Sequence, residues 1–205
     1  MATLVAWGDA ECGGSLIPEK VSQVDGGLGI AEVAATKCAF AVRTRAGGVV
    51  NWGGKFYGGD RDPAGDPGAS VTFDAAEGDS TDGLHAVSLN QGLLSGKLVT
   101  ALAATQFAFA AVLDDKTVVA WGDAASGGKL SSADLGAITD HGGVAKLHSN
   151  NVAFAAITAD SKAYAWGNVA NGGVGDLSVS IGVDGIVKSI RPSGSAFTAT
   201  VVSGI

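Results

Sequence analysis

The stretch FAAVLDDKTVVAWGDAASGG, residues 109–128, decides the fold, because FAAITADSKAYAWGNVANGG, residues 154–173, nearly repeats it. Two anchors mark each copy: a Trp-Gly pair followed six and seven residues later by two glycines, and an Ala-Phe pair upstream. The tryptophans are Trp7, Trp52, Trp121 and Trp166, and the phenylalanines are Phe40, Phe109, Phe154 and Phe197. Three phenylalanines lie twelve residues before a tryptophan. A fixed internal period of this kind predicts a repeat architecture.

The spacing of the tryptophans divides the chain into units. Successive tryptophans are 45, 69 and 45 residues apart, so the second unit carries 24 additional residues. We assign these to an insertion at residues 60–83, which holds seven carboxylates against one arginine. The sequence thus predicts a single repeat domain over residues 1–205. Its units are residues 8–52, 53–121 with the insertion, 122–166, and 167–205 together with 1–7.

The last unit is divided between the two ends of the sequence. If residue 205 were joined to residue 1, Phe197 would lie fifteen residues before Trp7, close to the spacing in the other units. We therefore expect Met1–Trp7 to pair in a β-ladder with the segment Phe197–Val202, within one chain or between two chains.

Each unit has the pattern of a β-meander. An apolar segment such as LVTALAAT is followed by QFAFAAVL, which is apolar on both faces, as a strand packed on both sides requires. A DDK turn and the strand TVVAWG follow. The pattern predicts an all-β, β-propeller-like repeat protein with four units of three to four strands. A β-prism-like fold and a strand-exchanged assembly are the alternatives.

Two residue types should build the core of this fold. The four repeated phenylalanines are predicted to be buried, and the tryptophans to pack between units rather than to form a ring of sugar-stacking platforms. The glycine pairs fit positions of positive φ or close approach of the backbone, since no helix follows them as in a phosphate-binding loop.

The segments VVAWGDAASGG and AYAWGNVANGG resemble the regulator-of-chromosome-condensation repeat, in its bacterial AFAA…VVAWG form. The resemblance covers nearly the whole chain outside residues 60–83, and it implies a propeller built from blades. The chain departs from the family before the second strand, where TKCAF, TQFAF, NNVAF and SGSAF replace the usual Gly-His, and no residue matches the family's nucleotide-exchange loop. The resemblance therefore does not imply exchange activity.

Composition narrows the function classes. The net charge is −7 and the sequence has no basic stripe, so nucleic acid is not expected as a partner. No apolar run reaches 18 residues, so no membrane-spanning helix is expected. No nucleophile-elbow, P-loop or metalloprotease motif is present, and His85, His141 and His148 are scattered, so no enzymatic activity is expected. Cys12 and Cys38 are interpreted as small apolar residues of a reduced compartment, with a disulfide as the alternative. Cytoplasmic location, or export without a cleaved signal peptide, is expected.

The second unit contains the candidate site. Phe56 and Tyr57 stand where the sister loops keep small or polar residues, and Phe73 lies in the adjacent insertion. We predict a contact patch for a ligand or partner at these aromatic residues, or else an anchor for the insertion. Asp60, Asp62 and Asp66 could ligate calcium, although a solvated acidic loop is the alternative. No other cofactor is predicted.

These features favour a non-catalytic recognition module that binds a protein or glycan through loops on one rim, such as a bacterial lectin-like protein or host-directed effector or toxin. A structural protein that forms homo-oligomers by strand exchange is the second hypothesis. A propeller lyase or hydrolase is the third.

Overall fold

The computed structural model describes residues 3–16, 21, 24, 29–59, 96–177 and 184–203. These residues form twelve strands in four antiparallel sheets, together with short 3₁₀ turns and one α-helix of nine residues. The sheets follow one another along the chain as separate blades and do not close into a ring. The all-β, blade-based fold expected from the repeat is thereby confirmed.

Each blade is a meander whose strands pair in chain order. Blade 1 contains β1 (Ile30–Ala35), β2 (Ala39–Thr44) and β3 (Val49–Gly53). Blade 2 contains β4 (Val99–Ala104), β5 (Ala108–Leu113) and β6 (Val118–Gly122). Blade 3 contains β7 (Val144–Ser149), β8 (Ala153–Thr158), β9 (Ala163–Gly167) and the two-residue β10 (Gly175–Asp176). Blade 4 contains β11 (Gly185–Pro192) and β12 (Phe197–Ser203).

The register is the same in every blade. Phe40 lies opposite Trp52 across β2 and β3, and Phe109 and Phe154 lie opposite Trp121 and Trp166 in the same way. The paired rings stack with centroids 5.3–5.4 Å apart. Because each phenylalanine pairs with the tryptophan twelve residues later, this spacing is the length of one hairpin. The first strand of each blade also carries an irregularity in its pairing with the second strand, for example between Ile30 and Glu32.

The core lies between the blades, because the middle strands are covered on both faces. Every residue of β5 and of β8 is buried. One face of β5 packs Phe109, Ala111 and Leu113 against blade 1, and the other packs Ala108, Ala110 and Val112 against blade 3. The alanines let the neighbouring blades approach closely. A sheet packed on both sides requires this apolar pattern, which is why the strands read as continuous apolar runs.

A glycine from each loop forms the joint with the next blade. A Cβ on Gly58 would lie 2.6 Å from Cδ2 of Phe109, and one on Gly127 would lie 2.6 Å from Cδ2 of Phe154. Both glycines have positive φ, +84° and +92°. The Trp121 indole Nε1 donates to the carbonyl of Gly58 at 3.2 Å. Close approach and positive φ were both expected of these glycines, and both are confirmed.

Burial follows position in the arc of blades. Phe109 and Phe154 are fully buried, and Trp52, Trp121 and Trp166 are nearly so. The prediction of four buried phenylalanines is wrong for Phe40 and Phe197, which are half-buried in the first and last blades. Phe197 has no stacked tryptophan among the described residues, and Trp7 is 83% exposed. The end blades each lack a neighbour that the inner blades have.

Among the described residues, the two ends of the chain do not pair with each other. Residues 3–7 are not in a strand, and β12 pairs only with β11 among the described residues. Residues 3–16 lie instead against blade 1, where Leu4 and Leu16 pack on a cluster that includes Val42 and Trp52. The expected ladder between two chains stays a prediction.

Two further features differ from the sequence interpretation. Helix α1 (Ser132–Asp140) follows blade 2, although the all-β fold predicted from the sequence contains strands alone. Its N-terminus has a capping box in which Ser131 and Asp134 exchange hydrogen bonds. Cys12 and Cys38 form a disulfide, so their interpretation as separate thiols is wrong. Within the described ranges, no helix is long and apolar enough to span a membrane.

Candidate functional site

The turn between the first and second strands of a blade lies at the same end as the loop that follows the third strand. Antiparallel order requires this, because the third strand ends where the second begins. In blade 1 the turn contains Thr36 and Lys37, and the loop contains the 3₁₀ turn Lys55–Tyr57. We call this end of the four blades the turn end.

A row of main-chain hydrogen bonds joins the blades at the turn end. The Lys37 amide donates to the carbonyl of Gln106 at 2.8 Å, and the Gln106 amide donates to the carbonyl of Asn151 at 2.8 Å. The Asn151 amide donates in turn to the carbonyl of Gly194 at 3.2 Å. These four residues occupy equivalent positions, each three residues before the repeated phenylalanine of its blade. The row fixes the turns relative to one another.

Side chains of the preceding turn residues hold the loops in place. The Thr36 hydroxyl donates to the carbonyl of Tyr57 at 3.0 Å, and the Thr105 hydroxyl donates to the carbonyl of Ser126 at 3.2 Å. Asn150 Nδ2 donates to the carbonyl of Asn171 at 2.7 Å. Thr105 and Asn150 are buried, so these bonds are shielded from water. Turn and loop therefore form one preorganised surface in each blade.

A polar depression of about 580 Å³ lies at the turn end of blades 1–3. It is lined by nine residues, three from each blade. Lys37, Gln106 and Asn151 are its exposed polar members, at equivalent positions in the three blades. An ammonium and two carboxamides thus line the depression, and all three groups can donate hydrogen bonds to a ligand.

An aromatic group also lies at the turn end, between blades 1 and 2. Tyr57 stacks on Phe107, the neighbour of Gln106, with ring centroids 5.5 Å apart. Phe56 is 61% exposed. Tyr57 is therefore engaged in the joint between the blades, whereas the Phe56 side chain is presented to solvent. A half-buried aromatic pair beside an exposed ring is a typical anchor for a binding partner.

The disulfide occupies the same position one joint earlier. Cys12 is five residues after Trp7, as Tyr57 is five after Trp52, and Cys38 and Phe107 both lie two residues before the repeated phenylalanine. The Cys12–Cys38 bond therefore links a loop to the following blade where the Tyr57–Phe107 stack does so at the next joint. Both contacts brace the turn end.

The remaining predicted site residues lie outside the described part of the chain: Phe73, Asp60, Asp62 and Asp66. The contact patch is thus placed for Phe56 and Tyr57 only, and the calcium hypothesis stays a prediction. Within the described residues, no group of three or more His, Cys, Asp or Glu side chains could hold a metal ion.

A hydrogen bond between two ionisable side chains with shifted pKa values, Tyr164 and Asp134, lies away from the turn end. The Tyr164 hydroxyl donates to Asp134 at 2.6 Å, linking blade 3 to α1. Burial opposes ionisation of Asp134, but hydrogen bonds from Tyr164 and Ser131 outweigh it and lower the pKa of this carboxyl. Burial and the neighbouring Asp134 raise the pKa of the Tyr164 phenol. These contacts fasten a helix to a blade.

The two described histidines have different surroundings. His141 Nδ1 lies 2.7 Å from Oδ2 of Asp160, beside the hairpin turn of blade 3. The Nε2 atom of His148 is buried without a hydrogen-bond partner. Burial and the charges of Arg191 and Lys146 lower the pKa of His148, so its imidazole is neutral at pH 7. His85 lies outside the described residues.

Sequence reasoning missed Lys37, Gln106 and Asn151 as a group. The segments TKCAF, TQFAF and NNVAF contain them, and their deviation from the family pattern was visible in the sequence. The signal in the sequence was that these three different residues each lie three residues before the repeated phenylalanine. A position that varies within an otherwise constant unit marks a solvent-facing site that the fold does not require.

Comparison with known proteins places the fold but no function. No family model and no curated protein matches the chain. Among solved structures, human WBSCR16 is similar at 19% identity and a TM-score of 0.50, over 88% of this chain and 46% of that chain. The ectodomain of the Physcomitrella patens receptor kinase CR4 is similar at 14% identity and a TM-score of 0.46, over 81% of this chain and 36% of that one.

Yeast RCC1 (Prp20), solved with Kap60 bound, is similar at 16% identity and a TM-score of 0.42, over 68% of this chain and 32% of that chain. The chain spans less than half the length of each of these three structures. At these identities the likeness concerns the fold alone. The chain is thus a β-rich repeat protein whose blade arrangement is similar to part of a longer known structure, human WBSCR16.

Proposed function

We propose that this chain is a non-catalytic recognition module that binds a protein partner at the turn end of blades 1–3. The exposed Phe56 carries the proposal, because it adjoins Tyr57 of the Tyr57–Phe107 stack at the turn end, where the polar depression also lies. Aromatic residues next to polar groups on a rigid surface are the usual composition of binding hot spots. The sequence contains no nucleophile-elbow, P-loop or metalloprotease motif, which supports a module that binds without catalysing a reaction.

Rigidity of the surface strengthens this reading. The hydrogen-bonded row from Lys37 to Gly194 and the loop contacts of Thr105 and Asn150 hold the surface in one conformation before a ligand arrives. A preorganised site loses little conformational entropy on binding, and affinity benefits accordingly.

A glycan ligand is the second candidate, and the depression itself favours it. Its three exposed polar side chains, Lys37, Gln106 and Asn151, offer hydrogen-bond donors at the end of the blades that also carries the exposed Phe56. This combination suits hydroxyl groups of a sugar as well as carbonyl groups of a peptide. A lectin-like role belongs to this second candidate.

Two assignments accompany the function. We propose that the units are regulator-of-chromosome-condensation-like repeats, supported by the Trp-Gly motif and the shared register. A sequence profile built from the four aligned units should then find that family before other propellers.

We also propose that the protein works in an oxidising compartment, since the Cys12–Cys38 disulfide favours export over the cytoplasm. Mass spectrometry of the native protein without reductant tests this, and free thiols would contradict it.

The test is a binding screen with matched variants. The parent chain is screened against a random dodecapeptide display library and a glycan array, and the ligands found are titrated against Phe56→Ala. Loss of a hot spot of about 2 kcal/mol predicts roughly 30-fold weaker binding. Val169→Ala is the control, because Val169 is 70% exposed in the corresponding loop of blade 3.

The array of ligands separates the two candidates. Peptide ligands that depend on Phe56 support protein recognition, and glycan ligands that depend on Lys37, Gln106 and Asn151 support the second candidate. The proposal fails if Phe56→Ala and the triple alanine variant of the depression both bind every ligand as tightly as the parent.

A further inference from the structure

Blade 4 differs from the other blades because it lacks a third strand among the described residues. Blades 1–3 each place a Trp-Gly strand beside the phenylalanine strand, but β12 pairs with β11 alone. Its last six residues are exposed, including Val201 and Val202. The outer edge of β12 therefore presents main-chain groups that could pair with another strand.

The missing strand has a sequence counterpart within this chain. Residues 3–8, TLVAWG, match VVNWG, VVAWG and AYAWG, which are the third strands β3, β6 and β9. Residues 3–7 belong to no strand, and Val5 and Trp7 are 68% and 83% exposed. A segment with the composition of a core strand is thus presented to solvent.

We propose that residues 3–8 of a second copy of this chain complete blade 4, as its third strand, and that two copies close into a ring by exchanging this contact. In the register of blades 1–3, Trp7 of one copy lies opposite Phe197 of the other, and Val5 lies opposite Ala199. The chain itself supplies both the donor segment and the acceptor edge.

The acceptor is already shaped for a tryptophan. At each complete joint the indole donates to a loop carbonyl: Trp52 to Gly13, Trp121 to Gly58, and Trp166 to Gly127, at 2.9–3.2 Å. Gly172 is the equivalent residue before blade 4. It has a φ of +98°, and a Cβ there would lie 3.0 Å from Cδ2 of Phe197. The glycine and the phenylalanine of the joint are in place, and the indole is the part that a second copy supplies.

Main-chain geometry leaves the right groups available. The Ser193 amide donates to the carbonyl of Ala196, which directs the main chain of Ala196 toward β11. Because directions alternate along a strand, the amides of Phe197, Ala199 and Val201 face the outer edge. These are the residues that pair with Trp7, Val5 and Thr3 in the proposed register.

A second copy fits better than closure within one chain. Residues 9–14 pack Gly13 against Phe40 and Trp52, so they belong to the free side of blade 1. Blade 4 lies at the other end of the arc, beyond contacts of β1 with β4, β4 with β7 and β7 with β11. The matching region of human WBSCR16 occupies 46% of that chain, so one copy here corresponds to less than half of it. Two copies joined at both ends reach a comparable extent.

The contact is heterologous, because it joins different surfaces of the two chains. Such contacts form a ring when the rotation closes and a filament when it does not. Each chain contributes blades 1–3 as they stand and a blade 4 that the other chain completes, which makes four blades per chain. The closed dimer therefore has eight blades.

The first test is the mass in solution. Light scattering on the parent, from low to high micromolar concentration, should give twice 20.1 kDa, about 40 kDa. Trp7→Ala should return the mass to that of one chain, and so should Ala199→Pro, which removes an outward amide without touching a bond to β11. Val169→Ala changes another exposed apolar residue and should leave the dimer intact.

The second test fixes the register and separates exchange between chains from closure within one. Ala6 and Thr198 form a non-hydrogen-bonded pair in the proposed ladder, where side chains approach most closely. A mixture of the single variants Ala6→Cys and Thr198→Cys should oxidise to a species of double mass. The mixture of Ala6→Cys with Ala199→Cys should not, because Ala199 faces the other side of the sheet.

Several results would overturn the proposal. A monomeric parent at every concentration leaves the edge of β12 to another partner. A cross-link that forms only inside a chain carrying both cysteines shows closure within one chain. A dimer that persists in Trp7→Ala and in Ala199→Pro uses a different surface, and a mass that grows without limit excludes the closed ring.

Discussion

At the scale of the residue, the molecule depends on a recurring contact between a phenylalanine, a tryptophan and a glycine. The phenylalanine and tryptophan come from paired strands of one blade, and the glycine comes from the loop before it. Phe109 and Phe154 are fully buried between two neighbouring blades, whereas Phe197 is half-buried without a stacked tryptophan. Phe40 is half-buried although Trp52 and Gly13 complete its contact. The energetic weight of each ring should therefore follow both its burial and the completeness of its contact.

The first prediction compares two of these rings. Phe109→Ala should lower the free energy of unfolding by about 3–5 kcal/mol, because it leaves a cavity beneath Gly58 and beside Trp121. Phe197→Ala should cost only about 1–2 kcal/mol in the single chain, since its ring is incompletely buried and no tryptophan stacks on it among the described residues. Urea denaturation of both variants measures this, and equal losses would contradict the proposed role of the stack.

The second prediction concerns the glycine. Gly127→Ala should destabilise the protein by about 2–4 kcal/mol, because alanine is strained at a φ of +92° and its Cβ would overlap Phe154. Gly136→Ala is the matched control. Gly136 lies in α1 with open space around its Cα, and alanine there should be neutral or stabilise by about 0.5–1 kcal/mol. Loss at both sites would show that the joint glycine has no special role.

At the scale of the element, most strands could be predicted, because each repeats one pattern of apolar residues. The segments GIAEVAAT, LVTALAAT, GVAKLHSN and GIVKSIRP contain β1, β4, β7 and β11. Helix α1 occurs once and has a weakly amphipathic sequence, so repetition gives no signal for it. Its capping box, Ser131 with Asp134, was the local signal that sequence reasoning passed over. The disulfide could not be predicted from the repeat pattern, because only the fold brings Cys12 close to Cys38.

The attachment of α1 gives a prediction about pH. Tyr164→Phe removes the hydrogen bond to Asp134, whose pKa is lowered in the folded protein. A depressed carboxyl pKa stabilises the fold above the unfolded value of about 4, and this contribution is lost as the pH falls through the folded value. The variant should therefore be less stable than the parent by about 1–2 kcal/mol at pH 7, and by much less near pH 2.

A hydroxyl on α1 itself serves as the control. Thr139 donates to the main-chain carbonyl of Leu135, so Thr139→Val removes a hydrogen bond that involves no carboxylate. Its effect on the free energy of unfolding should be the same at both pH values. A Tyr164→Phe difference that is equally constant with pH would contradict the coupling to Asp134.

At the scale of the whole molecule, the repeat predicts how blades follow one another but not which surface they use. The turn end brings Lys37, Gln106 and Asn151 together from segments up to 114 residues apart in the chain, and none of the three belongs to the constant pattern. Phe56 and Tyr57 could be singled out because they interrupt a loop of small residues. Tyr57 then proves to be part of the joint, which explains why an interruption alone does not separate binding residues from structural ones.

The central claim is that one joint, repeated along the arc, holds these blades together through an indole hydrogen bond to the preceding loop. Hydrogen exchange of the four indole N–H groups, followed by ¹⁵N NMR in the Ala199→Pro variant, tests it most directly. The signals of Trp52, Trp121 and Trp166 should exchange slowly, because each indole is buried and bonded to a glycine carbonyl. Trp7, which is 83% exposed, should exchange rapidly. If any of the three exchanges as fast as Trp7, the repeated joint does not hold the blades as described.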